Sequence, residues 1–215
     1  MCPTIVAQLG VDTRFTVVVV DHPFDDLDTE RRVLGEIGAR VVDAQARTAD
    51  DAIAACCGAD AVLVRRFPLT RAVIETLTRC RIICNYGAGY DNVDAAAAKE
   101  RGIAVAATAG YGDDEVADHT LALLLALARR IVQQRASLAD GAAGGQVGWS
   151  HVPFVPIRRL RHQTLGVIGL GRIGRTLARK AVALGLRVVA SDPVVSAEDA
   201  AALGVQLVPQ HTLLA

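Results

Sequence analysis

The stretch T-L-G-V-I-G-L-G-R-I-G, residues 164–174, decides the fold. Thr164–Gly169 is a short apolar run with the character of a strand, and Gly169-Leu170-Gly171-Arg172-Ile173-Gly174 spells G-x-G-x-x-G where a helix should open. A second apolar run, Arg187–Ser191, ends in Asp192, at the spacing expected when an acid follows such a motif by roughly 20–25 residues. Each glycine has a physical task in that arrangement. Gly169 allows a tight turn, Gly171 lets a pyrophosphate approach the backbone, and Gly174 lets helix and strand pack closely. The amides of the first helical turn, Arg172 and Ile173 included, would face the phosphates at the positive end of the helix dipole. Asp192 would accept hydrogen bonds from an adenosine ribose diol and repel a 2′-phosphate. These residues predict NAD as cofactor, in preference to NADP.

Outward from this motif the same rhythm fills the chain. Toward the C-terminus, helices are predicted over Arg172–Leu184 and Ala197–Leu203, a strand over Val205–Val208, and a helical turn at His211–Ala215. Toward the N-terminus, apolar runs at Phe15–Asp21, Arg40–Asp43, Ala61–Val64, Arg81–Cys84 and Ile103–Ala106 alternate with helical stretches at Leu27–Ile37, Ala49–Cys57, Thr70–Leu77 and Val93–Arg101. Short strands separated by helices predict parallel α/β sheets covered on both faces. Between the two series lies an apolar segment, Asp113–Gln133, read as one long helix buried between layers or domains, with Asp113 as its N-cap. The glycine- and proline-bearing stretch Ala136–Pro156 is read as a hinge or linker. The predicted domains are 1–110 and 111–215.

A second glycine-flanked turn, Asn85–Asp94 (N-Y-G-A-G-Y-D-N-V-D), follows the fourth strand. The carboxyl end of a parallel strand is where such sheets place ligands, and the amides of Gly87, Ala88 and Gly89 could form an anion-binding nest. A plain turn with Asp91 capping the next helix is the alternative on spacing alone.

Composition narrows the classes of function. The 215 residues carry 23 Lys+Arg against 23 Asp+Glu, a balance that argues against a nucleic-acid partner. The 52% hydrophobic content suits packed cores rather than disorder. The greasiest run, Leu121–Ala128, is far short of the roughly 20 residues that span a bilayer. Five cysteines without framework or metal-ligand spacing predict reduced thiols, no metal site and a soluble, cytoplasmic chain.

The turn N-Y-G-A-G-Y-D-N-V-D followed by A-A-A-A-K-E-R-G-I, then D-D-E-V-A-D-H-T-L-A-L-L-L-A-L-A-R-R, then R-R-L-R-H-Q-T-L-G-V-I-G-L-G-R-I-G-R, resembles the D-isomer-specific 2-hydroxyacid dehydrogenases along nearly the whole chain. Within that family it is most similar to the branch of the C-terminal binding protein corepressors and their bacterial relatives. The resemblance implies a flavodoxin-like substrate domain and a Rossmann domain, with hydride passing between NAD(H) and a 2-oxo or D-2-hydroxy acid. It implies a substrate-binding set of Asn85, Gly87, Ala88 and Gly89, in which Gly87, Ala88 and Gly89 give amides to the substrate carboxylate. Asn85 stands where the corepressor branch often has arginine, and Ala107-Thr108-Ala109 stands where many relatives read N-x-P. It also implies a homodimer joined through Asp113–Gln133. The family's catalytic arginine, its acidic partner and its histidine lie in the second half of the Rossmann domain. The chain is therefore expected to hold the first half only, to carry no catalytic residue of its own and to be poorly stable alone. The alternative function is a non-catalytic NAD(H)-sensing dimerisation module of the corepressor type.

Overall fold

The computed structural model describes residues 14–143 and 157–215. The chain divides into two compact units between Ala109 and Gly110. In the first unit the strands are β1 (Phe15–Val19), β2 (Ala39–Asp43), β3 (Ala61–Val64), β4 (Ile82–Asn85) and β5 (Ala104–Ala107). They form one sheet of order β2-β1-β3-β4-β5, parallel at every pairing. This is the doubly wound order in which the direction of winding reverses between β1 and β3. The connecting helices are α1 (Asp28–Gly35), α2 (Ala49–Cys56), α3 (Arg71–Ile74) and α4 (Ala95–Glu100).

The branched residues of the central strands explain why the sheet closes. Val18, Val62, Val64 and Ile83 are fully buried against Ala52 and Cys56 of α2, Val73 and Ile74 of α3, and Ala97 and Ala98 of α4. Small alanines on the helices allow close approach to a sheet of bulky branched side chains. Asp94, rather than Asp91, caps α4, its side chain accepting the Ala97 amide at 2.8 Å. The helix predicted over Thr70–Leu77 is a single turn.

The second unit carries β6 (Thr164–Ile168), β7 (Arg187–Ser191) and β8 (Val205–Leu207), parallel and adjacent in that order. Helices α5 (Asp113–Ala128), α6 (Ile131–Ala143), α7 (Arg172–Ala183), α8 (Ala197–Ala201) and α9 (Gln210–Leu213) accompany them. Leu177, Ala178 and Ala181 of α7 pack with Val167, Val188, Ala190 and Ala117 of α5. Strand β6 is an edge of this sheet, and Ile168 is 61% exposed on it.

Several expectations differ from the structure. The single helix over Asp113–Gln133 is two helices, because Arg130 adopts φ +54° and the Gln134 side chain donates to the Arg129 carbonyl at 2.9 Å. The pair is not buried within the unit either, with Leu123 54% and Leu127 73% exposed and Ala117 the only buried residue of α5. The hinge expected from Ala136 begins as helix, since α6 runs through Gly141 to Ala143. The remainder of that stretch, 144–156, lies outside the described residues. Asp113 is the first residue of α5 rather than its cap, which is Gly112, and its carboxylate is engaged elsewhere. Among the described residues no helix is long and apolar enough to cross a membrane. Cys56, Cys80 and Cys84 are free thiols, whereas Cys57 is disulfide-bonded, so uniformly reduced cysteines are not carried forward.

Candidate dinucleotide and anion sites

In the second unit the chain leaves β6 through Gly169, whose φ of +87° belongs to the left-handed region that favours glycine. It enters α7 with Gly171 as N-cap, and no side chain satisfies the amides of the first turn. A Cβ built on Gly174 would overlap the carbonyl oxygen of Gly169, so the third glycine is demanded by packing. A Cβ on Gly171 would meet nothing within 4 Å. The middle glycine therefore leaves clear space over the helix N-terminus, the kind of cradle a pyrophosphate fills. Arg172 and Ile173 lie at its rim, with Ile173 exposed.

Asp192 closes the site from the end of β7. Its Oδ2 accepts the Leu170 amide at 2.7 Å, while Oδ1 accepts the amides of Val194 at 2.8 Å and Val195 at 3.0 Å. Backbone donation, from Val194 first and then Leu170 and Val195, holds this carboxyl below the usual aspartate range. The group is thus anionic near neutral pH, as a ribose acceptor should be. It is also a clasp on the glycine-rich turn, a role not legible from spacing. A carboxylate offers about four lone-pair sites, so its free capacity is one site, on Oδ2. A grip on both ribose hydroxyls would require surrendering a backbone bond.

The first unit places the other candidate turn at the carboxyl end of β4. Asn85 is 2% exposed, and its side chain is consumed internally. Its Nδ2 donates to Asn92 Oδ1 at 2.7 Å, and its Oδ1 accepts the Gly87 amide at 2.7 Å. Asn92 in turn donates to the Phe67 carbonyl at 3.0 Å, and the Thr108 hydroxyl reaches the Asn85 carbonyl at 3.3 Å. Asn85 is therefore a strut rather than an anion contact, and the Gly87 amide is already engaged. Ala88 and Gly89 are exposed at the tip of the turn. The Asp91 carboxylate folds over Gly89, 2.8 Å from where a Cβ would stand, which places a negative charge beside that tip.

Other polar groups gather at the same end of this sheet. Asp21, just past β1, accepts the amides of Arg65, Arg66 and Phe67 at 2.8, 2.9 and 3.2 Å. The Tyr86 hydroxyl donates to Glu30 at 3.0 Å, and burial together with that acid raises its pKa. His22 is nearly buried; its Nδ1 accepts the Phe24 amide at 3.1 Å, and its Nε2 stands 3.2 Å from Asp43 without forming a well-aimed hydrogen bond. Among the described residues no three His, Cys, Asp or Glu side chains gather as a metal site.

Comparison with known proteins places this geometry. Residues 17–207 match the model of the D-isomer specific 2-hydroxyacid dehydrogenase catalytic domain. The chain is 41% identical over 157 residues to a D-3-phosphoglycerate dehydrogenase of Archaeoglobus fulgidus, covering 73% of this chain and 28% of that protein. It is 37% identical over 145 residues to a glyoxylate reductase of Thermococcus litoralis, covering 67% of this chain and 44% of the relative. Among solved structures it superposes on the D-lactate dehydrogenase of Aquifex aeolicus, complexed with NAD and lactic acid, with TM-score 0.74 and 25% identity over 93% of this chain and 57% of the other. The chain thus spans under a half of the length of these two curated relatives.

Two outcomes follow from the hydrogen bonds. Asp192→Ala frees three amides and should lower stability, read as a fall in denaturation midpoint without ligand. Because the folded pKa of Asp192 is depressed, its stabilisation is fully present above the ordinary aspartate value of about 3.9 and is lost as pH falls through the lower folded value. The deficit of the variant should therefore shrink in acid; a deficit constant from pH 7 to pH 2 would contradict the clasp. Asn85→Ala should cost about 1–3 kcal/mol through its orphaned partners, measured by chemical denaturation, whereas a direct anion contact would leave stability unchanged.

Proposed function

The chain belongs to the D-isomer specific 2-hydroxyacid dehydrogenase family, and from that premise we propose that its second unit binds NAD(H) on the turn Gly169–Gly174 for hydride exchange with a small 2-oxo or D-2-hydroxy acid. One observation carries the reading: the open space over Gly171 at an uncapped helix N-terminus, with an ionised Asp192 across it. Bound NAD(H) supplies or accepts the hydride exchanged at C2 of the acid. The residues of this chain bind and orient. The first-turn amides of Arg172 and Ile173 face the pyrophosphate. Asp192 takes a ribose hydroxyl on its remaining lone pair and disfavours a 2′-phosphate by charge. In the first unit the exposed turn at Ala88 and Gly89 receives the substrate carboxylate.

The acid–base step is not assigned to this chain. Among the described residues His22–Asp43 is the only contact of a histidine with a carboxylate within 4.0 Å, and the Phe24 amide occupies the other ring nitrogen. Reduction of a carbonyl needs a polarising donor and a proton source. The proposal is therefore that the described residues bind the cofactor without themselves turning substrate over. The relatives compared are named D-3-phosphoglycerate dehydrogenase, glyoxylate reductase and D-lactate dehydrogenase, which supports hydride transfer over a corepressor-type role, and a cytoplasmic setting is proposed with it. Self-association is proposed through α5 and α6, whose Val116, Leu123, Leu127, Ile131 and Val132 form an exposed apolar series.

Two glycine variants test the cofactor site by calorimetric titration with NADH. Gly171→Ala should keep its fold, with a stability change below about 1 kcal/mol, yet bind NADH at least about tenfold more weakly. Gly174→Ala should lose about 1–3 kcal/mol of stability from the forced overlap. NADH affinity unchanged in Gly171→Ala would refute the site. For self-association, sedimentation at micromolar concentration should show a dimer that Leu127→Glu converts to monomer; a monomeric unmodified chain would overturn that part.

A further inference from the structure

Arg172 stands inside the glycine-rich motif, but its side chain is held by residues about sixty positions earlier. Its Nε donates to Asp113 Oδ2 at 2.8 Å. Its guanidinium also lies over Gly110, where φ is +91° and where a Cβ would overlap Nη2. The arginine is 66% exposed and Asp113 only 21%, so the carboxylate is the fixed member and the guanidinium the one being held. Asp113 is itself anchored as the first residue of α5, at the favourable end of that helix dipole. With Nε taken, the outer nitrogens of the guanidinium remain as donors on the residue that directly follows Gly171.

We propose that Gly110 and Asp113 are positioning residues for dinucleotide binding, which hold the Arg172 guanidinium beside the pyrophosphate seat. The inference rests on the reading of Gly169–Gly174 as that seat. Gly110 supplies the room and Asp113 the tether. An untethered arginine on the surface samples many rotamers, and ordering it on binding opposes affinity. Pre-ordering removes that cost. Asp113 carries a charge unfavourable to the ligand, but its pairing with the arginine spends that charge locally.

The test is a thermodynamic cycle on the full chain, with NADH, ADP and adenosine as titrants. Gly110→Ala and Asp113→Ala should each weaken NADH and ADP binding by roughly three- to tenfold, the scale of one charge-assisted contact. Neither should change adenosine binding, because adenosine has no pyrophosphate. In an Arg172→Ala background both effects should vanish, and Asp113→Glu should recover most of the loss. Additive effects in that background, or an equal loss for adenosine, would overturn the positioning role, as would tighter NADH binding by Asp113→Ala. If the unmodified chain binds adenosine, ADP and NADH with no gain from the phosphates, the pyrophosphate seat fails and this inference with it.

Discussion

The hydrogen bonds that Asp192 accepts fix the shape of the glycine-rich turn on which the proposed dinucleotide site depends. The turn needs a left-handed residue at Gly169 and contact between Gly174 and the backbone of Gly169, both unfavourable for an ordinary chain. A carboxylate at the end of the adjacent strand offsets this by accepting the Leu170 amide, and two further amides fix the carboxylate itself. Folding and function therefore share one residue. That sharing also limits specificity engineering: replacing Asp192 to admit a 2′-phosphate would release the loop proposed to seat the phosphates.

The first unit uses the same device. Asp21 follows β1 as Asp192 follows β7; all three backbone amides it accepts come from the loop after the neighbouring β3, whereas Asp192 takes one from the loop after β6 and two from its own. In a parallel sheet all the outgoing loops emerge at one end, and their backbone donors emerge unpaired. A strand-end aspartate satisfies several of them together. Asn85 does comparable work beside it, with its amide oxygen on Gly87 and its amide nitrogen on Asn92. The two units thus arrive by one principle at ordered loops on the carboxyl ends of their strands.

Much of this was legible in the residues. Strands β3 and β7 begin and end where the apolar runs do, and the others agree within two residues, because buried parallel strands leave a continuous hydrophobic signature. The glycine motif was readable because its geometry leaves little choice of residue. What escaped depended on partners distant in sequence. The spacing sets Asn85 among the substrate-binding residues, but its side chain is bonded to Asn92 and Gly87 and its carbonyl to Thr108, partners that spacing does not reveal. Asp113 looked like a cap because an acid before a helix usually is one, and only Arg172, 59 residues on, claims it. The break at Arg130 carries no glycine or proline signal, and arginine is a good helix former.

The central claim is that a dinucleotide seats on the turn from Gly169 to Gly174, facing Asp192. Hydrogen–deuterium exchange of the full chain with and without saturating NADH addresses it at the level of individual amides. The account predicts slowed exchange concentrated in the segment from Leu170 to Arg175, with the amides after Asp192 also protected. Unchanged exchange there, or protection found only in the first unit, would contradict it.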